Sequence, residues 1–506
     1  MAVEPRLPKT PSIKNILRPF RARRDAGVFL GLKPQAESYH PFGIKFDAPF
    51  RDRASFAPVH KIGSTSGARF EDDDEDSLPD MATQSFRRWR EVGRTKLTTG
   101  LCIFGLAGLE SPARHSPPTM PPYTKVLTDS SQGFSLKEWR FNSTEAGDDS
   151  RKGSWSVTKI CLAGGRQEGT EIVEIDNGDL KFVVVPTRGM SIWRAEVQGI
   201  RLGWDSPVTE IVHPQFVDLT DRGGKGWLNG FGEWLSRCGL ESMGPPGPDG
   251  AHVLTQHGRI NYLPANYLEF RFEPEPTPRI VLRGTVDESF MFGPHLRLIT
   301  EISTEIGSSE LVLNDTVINL ADIPQEMESL YHINFGPPLL GAGAKFVAPV
   351  KRVAPRDARA AEVDMANWNL YVGPQPAGYT EQVYFAELWA DQQGFTQTLL
   401  QSPDGKSGAL VAFNAQQLPY FTLWKNEAPL KTGYVTGLEP ATSYPFHRAV
   451  ERQAGRLRKI APGGTHDAKV AIKALLTEAE VKAAVQRINE LQREAPDVET
   501  RAMERA

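Results

Sequence analysis

The amino-acid sequence predicts a large antiparallel β-sandwich of Greek-key type over roughly residues 120–480. Three observations predict it: strand-like segments recur at short spacing, residues with turn propensity separate them, and helical periodicity is rare. The segments TEIVEI and LKFVVV flank an Asn177-Gly178 turn, which is typical of a β-hairpin. In LRLITEISTEI (296–306) leucine and isoleucine alternate with arginine and glutamate, as expected of a strand with one buried face.

Two further segments, RIVLRGTV (279–286) and LVLNDTVINL (311–320), also have the composition of strands. The clear exception is TEAEVKAAVQRINELQ (477–492), where Thr477 and Glu480 have the spacing of a capping box. This segment carries an apolar stripe at helical spacing, formed by Val481, Val485, Ile488 and Leu491. We therefore expect one C-terminal helix that packs against the sandwich.

The first 120 residues differ from the rest of the chain. They contain the acidic run EDDDED and the stretch SPARHSPPTMPP, and they lack hydrophobic periodicity over most of their length. Such a segment buries too little apolar surface to offset its ordering entropy. We expect residues 1–120 to be a disordered leader or the product of a start placed too far upstream, and residues 121–495 to form one domain. Met81 and Met120 are alternative starts, and the Arg-rich stretch after Met81 somewhat resembles an organelle transit peptide.

Composition excludes several classes of protein. The 506 residues carry a nearly balanced net charge of -4, which indicates neither a nucleic-acid nor a membrane-surface partner. No apolar run is long enough to span a bilayer. Three scattered cysteines favour neither a disulfide framework nor a zinc knuckle: Cys102, Cys161 and Cys238. We expect a soluble cytoplasmic protein, either a monomer or a homodimer.

Two histidines and one glutamate are the first candidates for chemistry. His257 and His332 stand at predicted junctions between strand and loop, where a rigid scaffold can direct a polar side chain into a cleft. Glu439 lies in the neutral stretch GYVTGLEPATSYPF, at the predicted end of a strand, with Gly437 and Pro440 shaping the turn around it. The ordinary alternative for each is a buried, hydrogen-bonded side chain.

Arginines and tryptophans form the second set of candidates. Arg188, Arg237 and Arg259 lie in apolar, Gly-rich contexts, and a buried arginine requires a partner. That partner is either an oxygen-rich ligand held by two hydrogen bonds or a protein carboxylate. The available carboxylates are Glu233, Glu241 and Glu439. Most tryptophans should be in the core, while one or two could provide a flat face for a sugar ring: Trp193, Trp204, Trp227, Trp234 and Trp424.

Several of these blocks together resemble a known family. PTRGMSIW, LGWDSP, RCGLES, HGRINYLPA, LYHINFG, LWKN and GYVTGLEPATSYP are similar to an uncharacterised branch of the aldose 1-epimerase (galactose mutarotase-like) family, over about Trp155 to Leu475. The resemblance implies a supersandwich fold, a concave sugar-binding face, and an acid/base mechanism that uses no cofactor and no metal. In that family a histidine protonates the ring oxygen of the sugar and a glutamate deprotonates the anomeric hydroxyl.

The resemblance also implies roles for individual residues. His332 matches the acid, Glu439 matches the base, and His257 resembles the second, substrate-binding histidine. The other substrate-binding residues that we predict are Arg188, Arg237, Arg259, Asn334, Trp424 and Lys425. The family's usual asparagine-arginine pair before the second histidine is missing, and Arg259 follows His257 instead. The substrate can therefore differ from galactose or glucose.

The mechanism sets expectations for protonation. Partial burial without a close cation should raise the pKa of Glu439 toward the operating pH, and His332 should bind substrate in its protonated form, as an ordinary pKa of about 6.5 allows. Three alternatives stay open. They are an isomerase that clamps an anionic sugar with the arginines, a metal site formed by the two histidines and the glutamate, and a sugar-binding protein without catalysis.

Overall fold

The computed structural model describes residues 122–148 and 154–503, so the expectations about residues 1–120 lie outside the described residues. The strands are β1 (Tyr123–Asp129), β2 (Phe134–Ser135), β3 (Trp139–Asn142), β4 (Ser156–Cys161), β5 (Glu171–Asp176), β6 (Leu180–Val185), β7 (Ser191–Val197), β8 (Ile200–Leu202), β9 (Leu235–Leu240), β10 (Gly247–Asp249), β11 (His252–Leu254), β12 (Tyr267–Glu273), β13 (Arg279–Ser289), β14 (His295–Glu305), β15 (Glu310–Asn319), β16 (Gln325–Phe335), β17 (Lys345–Val347), β18 (Val350–Pro355), β19 (Gln382–Leu388), β20 (Phe395–Gln401), β21 (Gly408–Asn414), β22 (Tyr420–Asn426), β23 (Val435–Ala441), β24 (Arg458–Ile460), β25 (Thr465–Leu475) and β26 (Asp497–Val498). The α-helices are α1 (Ser143–Ala146), α2 (Asp221–Gly224), α3 (Ala358–Ala361), α4 (Arg448–Gln453) and α5 (Glu478–Leu491).

Most strands belong to two large sheets. The first sheet has the order β17-β20-β21-β25-β15-β14-β13-β12-β1-β2. The second has the order β26-β18-β19-β22-β23-β16-β9-β7-β6-β5-β4-β3, with β8 beside β7 and β24 beside β16. The paired strands are antiparallel except β18 and β26, which are parallel, and β10 and β11 form a separate hairpin. The predicted antiparallel β-sandwich is confirmed, with one parallel pair at an edge.

The core consists of alternate residues from both sheets. In β14, Leu296, Leu298 and Ile302 are buried, and they share one apolar cluster with Ile333 and Leu438 of the second sheet. The alternation that predicted β14 therefore reflects burial against the facing sheet.

The predicted hairpin around Asn177 is present as β5 and β6. The buried amide of Asn177 donates to Thr304 Oγ1 at 2.6 Å and to the carbonyls of Glu305 and Ser308, both at 2.9 Å. Because Thr304 and Glu305 belong to β14, this turn residue connects the two sheets.

The predicted C-terminal helix is confirmed as α5. Thr477 caps it, since the backbone N–H of Glu480 donates to Thr477 Oγ1 at 3.2 Å while the Glu480 carboxylate accepts from the Thr477 backbone at 3.1 Å. Its buried residues Val481, Ala484 and Ile488 pack in one cluster with residues of β20, β21 and β25. Among the described residues, no helix has the length and apolar character needed to cross a membrane.

Strand β23 differs from its predicted form. The sequence predicts that the strand ends near Glu439 and that Gly437 and Pro440 shape a turn, but the structure continues the strand to Ala441. Strand β23 pairs with β22 on one side and with β16 on the other, and this pairing holds the backbone in an extended conformation through Pro440, which lies opposite Phe421. Tertiary pairing overrides the turn propensity of glycine and proline here. Glu439 therefore lies inside a central strand.

Candidate functional site

One face of the second sheet carries a row of polar side chains across four neighbouring strands. The register places Ser236 of β9 opposite His332 of β16, and Glu439 of β23 opposite Thr422 of β22. Between these pairs, the β16–β23 register brings His332 beside Glu439, and His332 Nε2 lies 3.3 Å from Glu439 Oε1. The sheet thus joins the predicted acid and the predicted base although they are distant in sequence.

A cavity of about 440 Å³ opens over this row. Trp227, Phe231 and Trp424 line it together with His257, His332 and Glu439. The rings of Phe231 and Trp424 both lie edge-on to the imidazole of His332, with centroid distances of 5.2 Å. Two aromatic rings therefore flank His332, and both members of the His332–Glu439 pair are buried.

Asn334 lies behind His332 and orients its ring. His332 Nδ1 is 2.7 Å from Asn334 Oδ1, while Asn334 Nδ2 donates to the carbonyls of Glu233 at 3.0 Å and His332 at 3.2 Å. Because the amide N–H groups of Asn334 donate to these two carbonyls, its Oδ1 is the atom that faces the imidazole. His332 Nδ1 therefore carries the proton and donates it to Asn334 Oδ1. His332 Nε2 then presents a lone pair to Glu439. The predicted substrate-binding residue Asn334 is placed to act through His332.

Burial sets the protonation of the pair. It lowers the pKa of His332 to about 3, with a further lowering from His257 that the hydrogen bond to Asn334 opposes. Burial also raises the pKa of Glu439 well above its ordinary value, and the charge of Glu381 raises it further while Arg356 lowers it. In the unliganded protein, burial thus favours the neutral form of each side chain, with the proton on Glu439 rather than on His332. That His332 is protonated when substrate binds stays a prediction.

His257 lies in the loop after β11 and faces the same cavity. Its Nδ1 donates to the carbonyl of Met243 at 2.9 Å, and its Nε2 is 3.1 Å from the amide nitrogen of Gln256. The backbone of His257 is left-handed with φ 57°, and that of Gly258 is left-handed as well. A Cβ on Gly258 would lie 2.1 Å from the carbonyl oxygen of Ser242, so the turn that presents His257 requires glycine there.

Arg188 and Arg237 are not among the residues that line the cavity. Arg188 is fully buried and pairs with Glu233, with Nη2 at 2.5 Å from Oε1. Arg237 pairs with Asp315 through two hydrogen bonds of 2.6 Å and 3.0 Å. Both guanidinium groups are occupied by protein carboxylates, which is the alternative that the sequence left open, although Asp315 was not among the partners considered.

Arg259 and Lys425 also lie away from the cavity wall. The guanidinium of Arg259 stacks over the ring of Phe290 at 5.1 Å. Lys425 points to the opposite face of β22 from Trp424, where its Nζ lies 3.3 Å from the carbonyl of Trp368. Of the predicted binding residues, His257 and Trp424 line the cavity beside His332 and Glu439, and Asn334 contacts His332 from outside the cavity lining.

Other cavity residues were not predicted from the sequence. Glu381 accepts a hydrogen bond from Trp424 Nε1 at 2.7 Å and pairs with Arg356 at 3.1 Å, so an ion pair holds the indole in place. These two residues stand outside any local motif, and nothing in the sequence indicates that they meet. Thr422 could have been found, because it precedes Trp424 by two in a strand and therefore shares its face. Within residues 122–148 and 154–503, no group of three or more His, Cys, Asp or Glu residues is arranged to hold a metal ion.

Gly437 provides the space that the Glu439 side chain occupies. A Cβ at position 437 would lie 2.2 Å from Glu439 Oε1, because residues two apart in a strand share a face. We expect Gly437→Ala to displace the carboxyl group from His332 and to lower the rate of anomer exchange, the activity that the family resemblance implies, by about 10²-fold, consistent with the loss of one positioned acid or base. Anomer-exchange NMR checks this. Gly341→Ala is the matched control: its Cβ would meet Pro403 Cγ at 3.0 Å, away from the cavity, and the variant should keep the wild-type rate.

Comparisons with known proteins identify the family and the fold of the chain. A family model described as a domain of unknown function (DUF4432) matches residues 167–474. A crystal structure of a candidate aldose 1-epimerase from Klebsiella pneumoniae subsp. pneumoniae is 35% identical, with a TM-score of 0.73, over 75% of this chain and 98% of that one. A galactose mutarotase-like protein from Clostridium acetobutylicum is 12% identical, with a TM-score of 0.45, over 63% of this chain and 98% of that one. None of the curated proteins compared matches the chain. The chain belongs to the DUF4432 family, a branch of the aldose 1-epimerase superfamily with a galactose mutarotase-like fold.

Proposed function

We propose that the protein is a carbohydrate-binding isomerase of the aldose 1-epimerase type, which interconverts sugar anomers by acid/base catalysis with His332 and Glu439. The observation that supports it is the approach of His332 Nε2 to Glu439 Oε1, 3.3 Å apart in a cavity walled by aromatic rings. Tryptophan faces suit the apolar faces of a pyranose, and the polar pair between them suits its oxygens.

The pair carries the single proton that the reaction needs. Mutarotation removes a proton from the anomeric hydroxyl and delivers one to the ring oxygen, which opens the ring. Rotation about C1–C2 and reclosure give the other anomer. In the roles implied by the family, His332 gives its proton and Glu439 takes one. Burial favours the proton on Glu439 in the free enzyme. When sugar binds, its hydroxyl groups can hydrogen-bond to the charged forms of the pair, and the proton then passes from Glu439 to His332 before the ring opens.

The substrate that we propose is an uncharged sugar. The anionic-sugar alternative depended on three arginines, and none of them lines the cavity. Arg356 does line it, but Asp357 at 2.7 Å and Glu381 at 3.1 Å neutralise its charge. The exposed Lys225 lines it as well, but a single ammonium group lacks the planar fork of a guanidinium. Among the residues that the structure describes, this wall therefore offers no free pair of guanidinium groups to clamp a carboxylate or phosphate. A cytoplasmic location and a monomeric or homodimeric state stay predictions.

A screen of free, phosphorylated and acidic sugars for accelerated α/β exchange tests the function. Exchange spectroscopy by NMR should show acceleration for at least one neutral aldose, and a rate about 10²–10⁴-fold lower with Glu439→Gln. Measurable affinity without acceleration of any sugar would instead identify a binding protein. Acceleration restricted to phosphorylated or acidic sugars would favour the anionic alternative.

The pH dependence of kcat/KM follows from the two pKa shifts. This parameter reports the ionisation of the free enzyme, in which His332 stays neutral down to a pKa of about 3. We expect no inflection near the ordinary histidine pKa of about 6.5. The alkaline limb should begin where Glu439 loses its proton, above the ordinary carboxyl range. The check is the exchange rate measured from about pH 4 to about pH 9, with the rate of Glu439→Gln at each pH subtracted as the background. An acid limb centred near the ordinary histidine value would contradict it.

A further inference from the structure

Four buried polar atoms of residues that line the cavity lack a hydrogen-bond partner in the part of the chain that the structure describes. They are Glu439 Oε1, which faces His332 Nε2 at 3.3 Å, and Thr422 Oγ1, Trp227 Nε1 and His447 Nε2. Thr422 and Trp227 are 1% and 0% exposed, so bulk water does not reach their polar atoms. Buried polar groups in native proteins are almost always paired, and an unpaired one costs stability unless a ligand or ordered water satisfies it.

Thr422 differs in this respect from two other threonines of the same sheet. Thr436 Oγ1 is 2.7 Å from Tyr371 Oη and donates to the carbonyl of Trp424 at 2.7 Å. Thr442 Oγ1 accepts from the backbone of Ser329 at 2.9 Å. Thr436 and Thr442 are therefore satisfied by protein groups, whereas Thr422, like Ser191 and Ser236 of the same sheet, has no partner among the described residues. Of these three, Thr422 lines the cavity.

The unpaired groups lie on opposite sides of the catalytic pair. Thr422 is directly opposite Glu439 on the neighbouring strand, where Cβ atoms are about 4.5–5.5 Å apart, so one substrate can contact both side chains. Trp227 packs against the ring of His257 at 4.7 Å and that of His332 at 6.3 Å. Its indole N–H is a donor only, and a threonine hydroxyl both donates and accepts.

We propose that Thr422 and Trp227 are substrate-binding residues, each of which holds one uncharged oxygen of the sugar. Thr422 Oγ1 binds the hydroxyl next to the oxygen that Glu439 contacts, and Trp227 Nε1 donates to an oxygen on the side of the two histidines. The inference rests on the proposed function and extends it, because it assigns the groups that select hydroxyls beyond the reacting centre. A neutral hydroxyl and an indole N–H are suited to hydroxyl and ether oxygens.

Two nearly isosteric variants test the assignment. Thr422→Val and Trp227→Phe remove a polar group and preserve most of the shape. If these groups are unpaired in the free protein, the melting temperature should stay the same or rise in both variants. The matched control Thr436→Val loses two existing hydrogen bonds and should melt at a lower temperature with an unchanged KM. A fall in melting temperature for Thr422→Val as large as that for the control would overturn the inference.

Deoxy sugars supply the second readout. The sugar most active in the exchange screen is compared with its monodeoxy analogues, with KM measured for each. For one deoxy analogue, the wild type should bind about tenfold more weakly than it binds the parent sugar, as expected for one lost hydrogen bond. Thr422→Val should bind that analogue and the parent sugar with equal affinity. If Thr422→Val and Trp227→Phe keep the wild-type discrimination at every position, the inference fails although the proposed function stands. If the wild type binds no sugar, both fail.

Discussion

Replacing Glu439 with glutamine should lower kcat for anomer exchange by about 10²–10⁴-fold, because each positioned acid or base contributes a factor of that size. Glutamine is nearly isosteric with the protonated carboxyl that burial favours at this position. The variant should therefore fold as the wild type does and keep its affinity for sugar, but it has no proton that it can exchange with His332. NMR exchange rates and sugar titration of the same sample separate the two effects.

The control for this variant is Glu387→Gln, which changes a carboxylate of β19 that pairs with Lys351 at the surface. It should exchange anomers at the wild-type rate. A near-wild-type rate in Glu439→Gln would remove the glutamate from the mechanism. Loss of sugar affinity together with loss of rate would instead assign Glu439 a role in binding.

The strands and the C-terminal helix could be predicted because their signals are local. In β14 the alternation of apolar and charged residues reports which face is buried, and in α5 Thr477 and Glu480 mark the first turn. The end of β23 was mispredicted for the opposite reason. Gly437 and Pro440 favour a turn locally, and only pairing with β16 and β22, which come from distant parts of the sequence, extends the strand.

Part of the cavity lining could be anticipated from motifs. The sheet register brings His332, Glu439 and Trp424 together, and the loop after β11 adds His257 to the same cavity, while their roles stay predictions. Their protonation was not predictable, because burial by aromatic side chains from several segments sets it. The ion pair of Arg356 and Glu381 was missed for a similar reason, since each residue forms its contacts only after folding.

The arginines show how far an apolar context can be interpreted. Such a context indicates that an arginine is buried and paired, but it does not tell whether the partner is substrate or protein. For Arg237 of the second sheet the partner is Asp315 of the first sheet, and Arg237 also donates to Thr300 of the first sheet at 2.8 Å. Tyr331 donates to the same aspartate at 2.8 Å. Arg237 therefore connects the two sheets of the sandwich.

Removing one partner of this pair should strongly destabilise the fold. Asp315→Leu leaves the guanidinium of Arg237 buried without a counter-ion, and we expect the free energy of unfolding to fall by about 3–5 kcal/mol. The double variant Arg237→Met/Asp315→Leu removes both charges and should recover much of that loss. Denaturant unfolding measures both variants. The control Lys181→Met breaks an exposed pair with Glu174 and should leave the unfolding midpoint unchanged.

Activity measured on the folded protein completes this test. If Arg237 connects the sheets and does not bind sugar, the double variant should keep its KM for sugar below its unfolding transition. A double variant as unstable as Asp315→Leu would show that the hydrogen bonds to Thr300, Tyr331 and the carbonyl of Met190 matter more than the charge. A large rise in KM with normal stability would restore the substrate-binding role. Stability and affinity together thus decide between the two partners that a buried arginine can have.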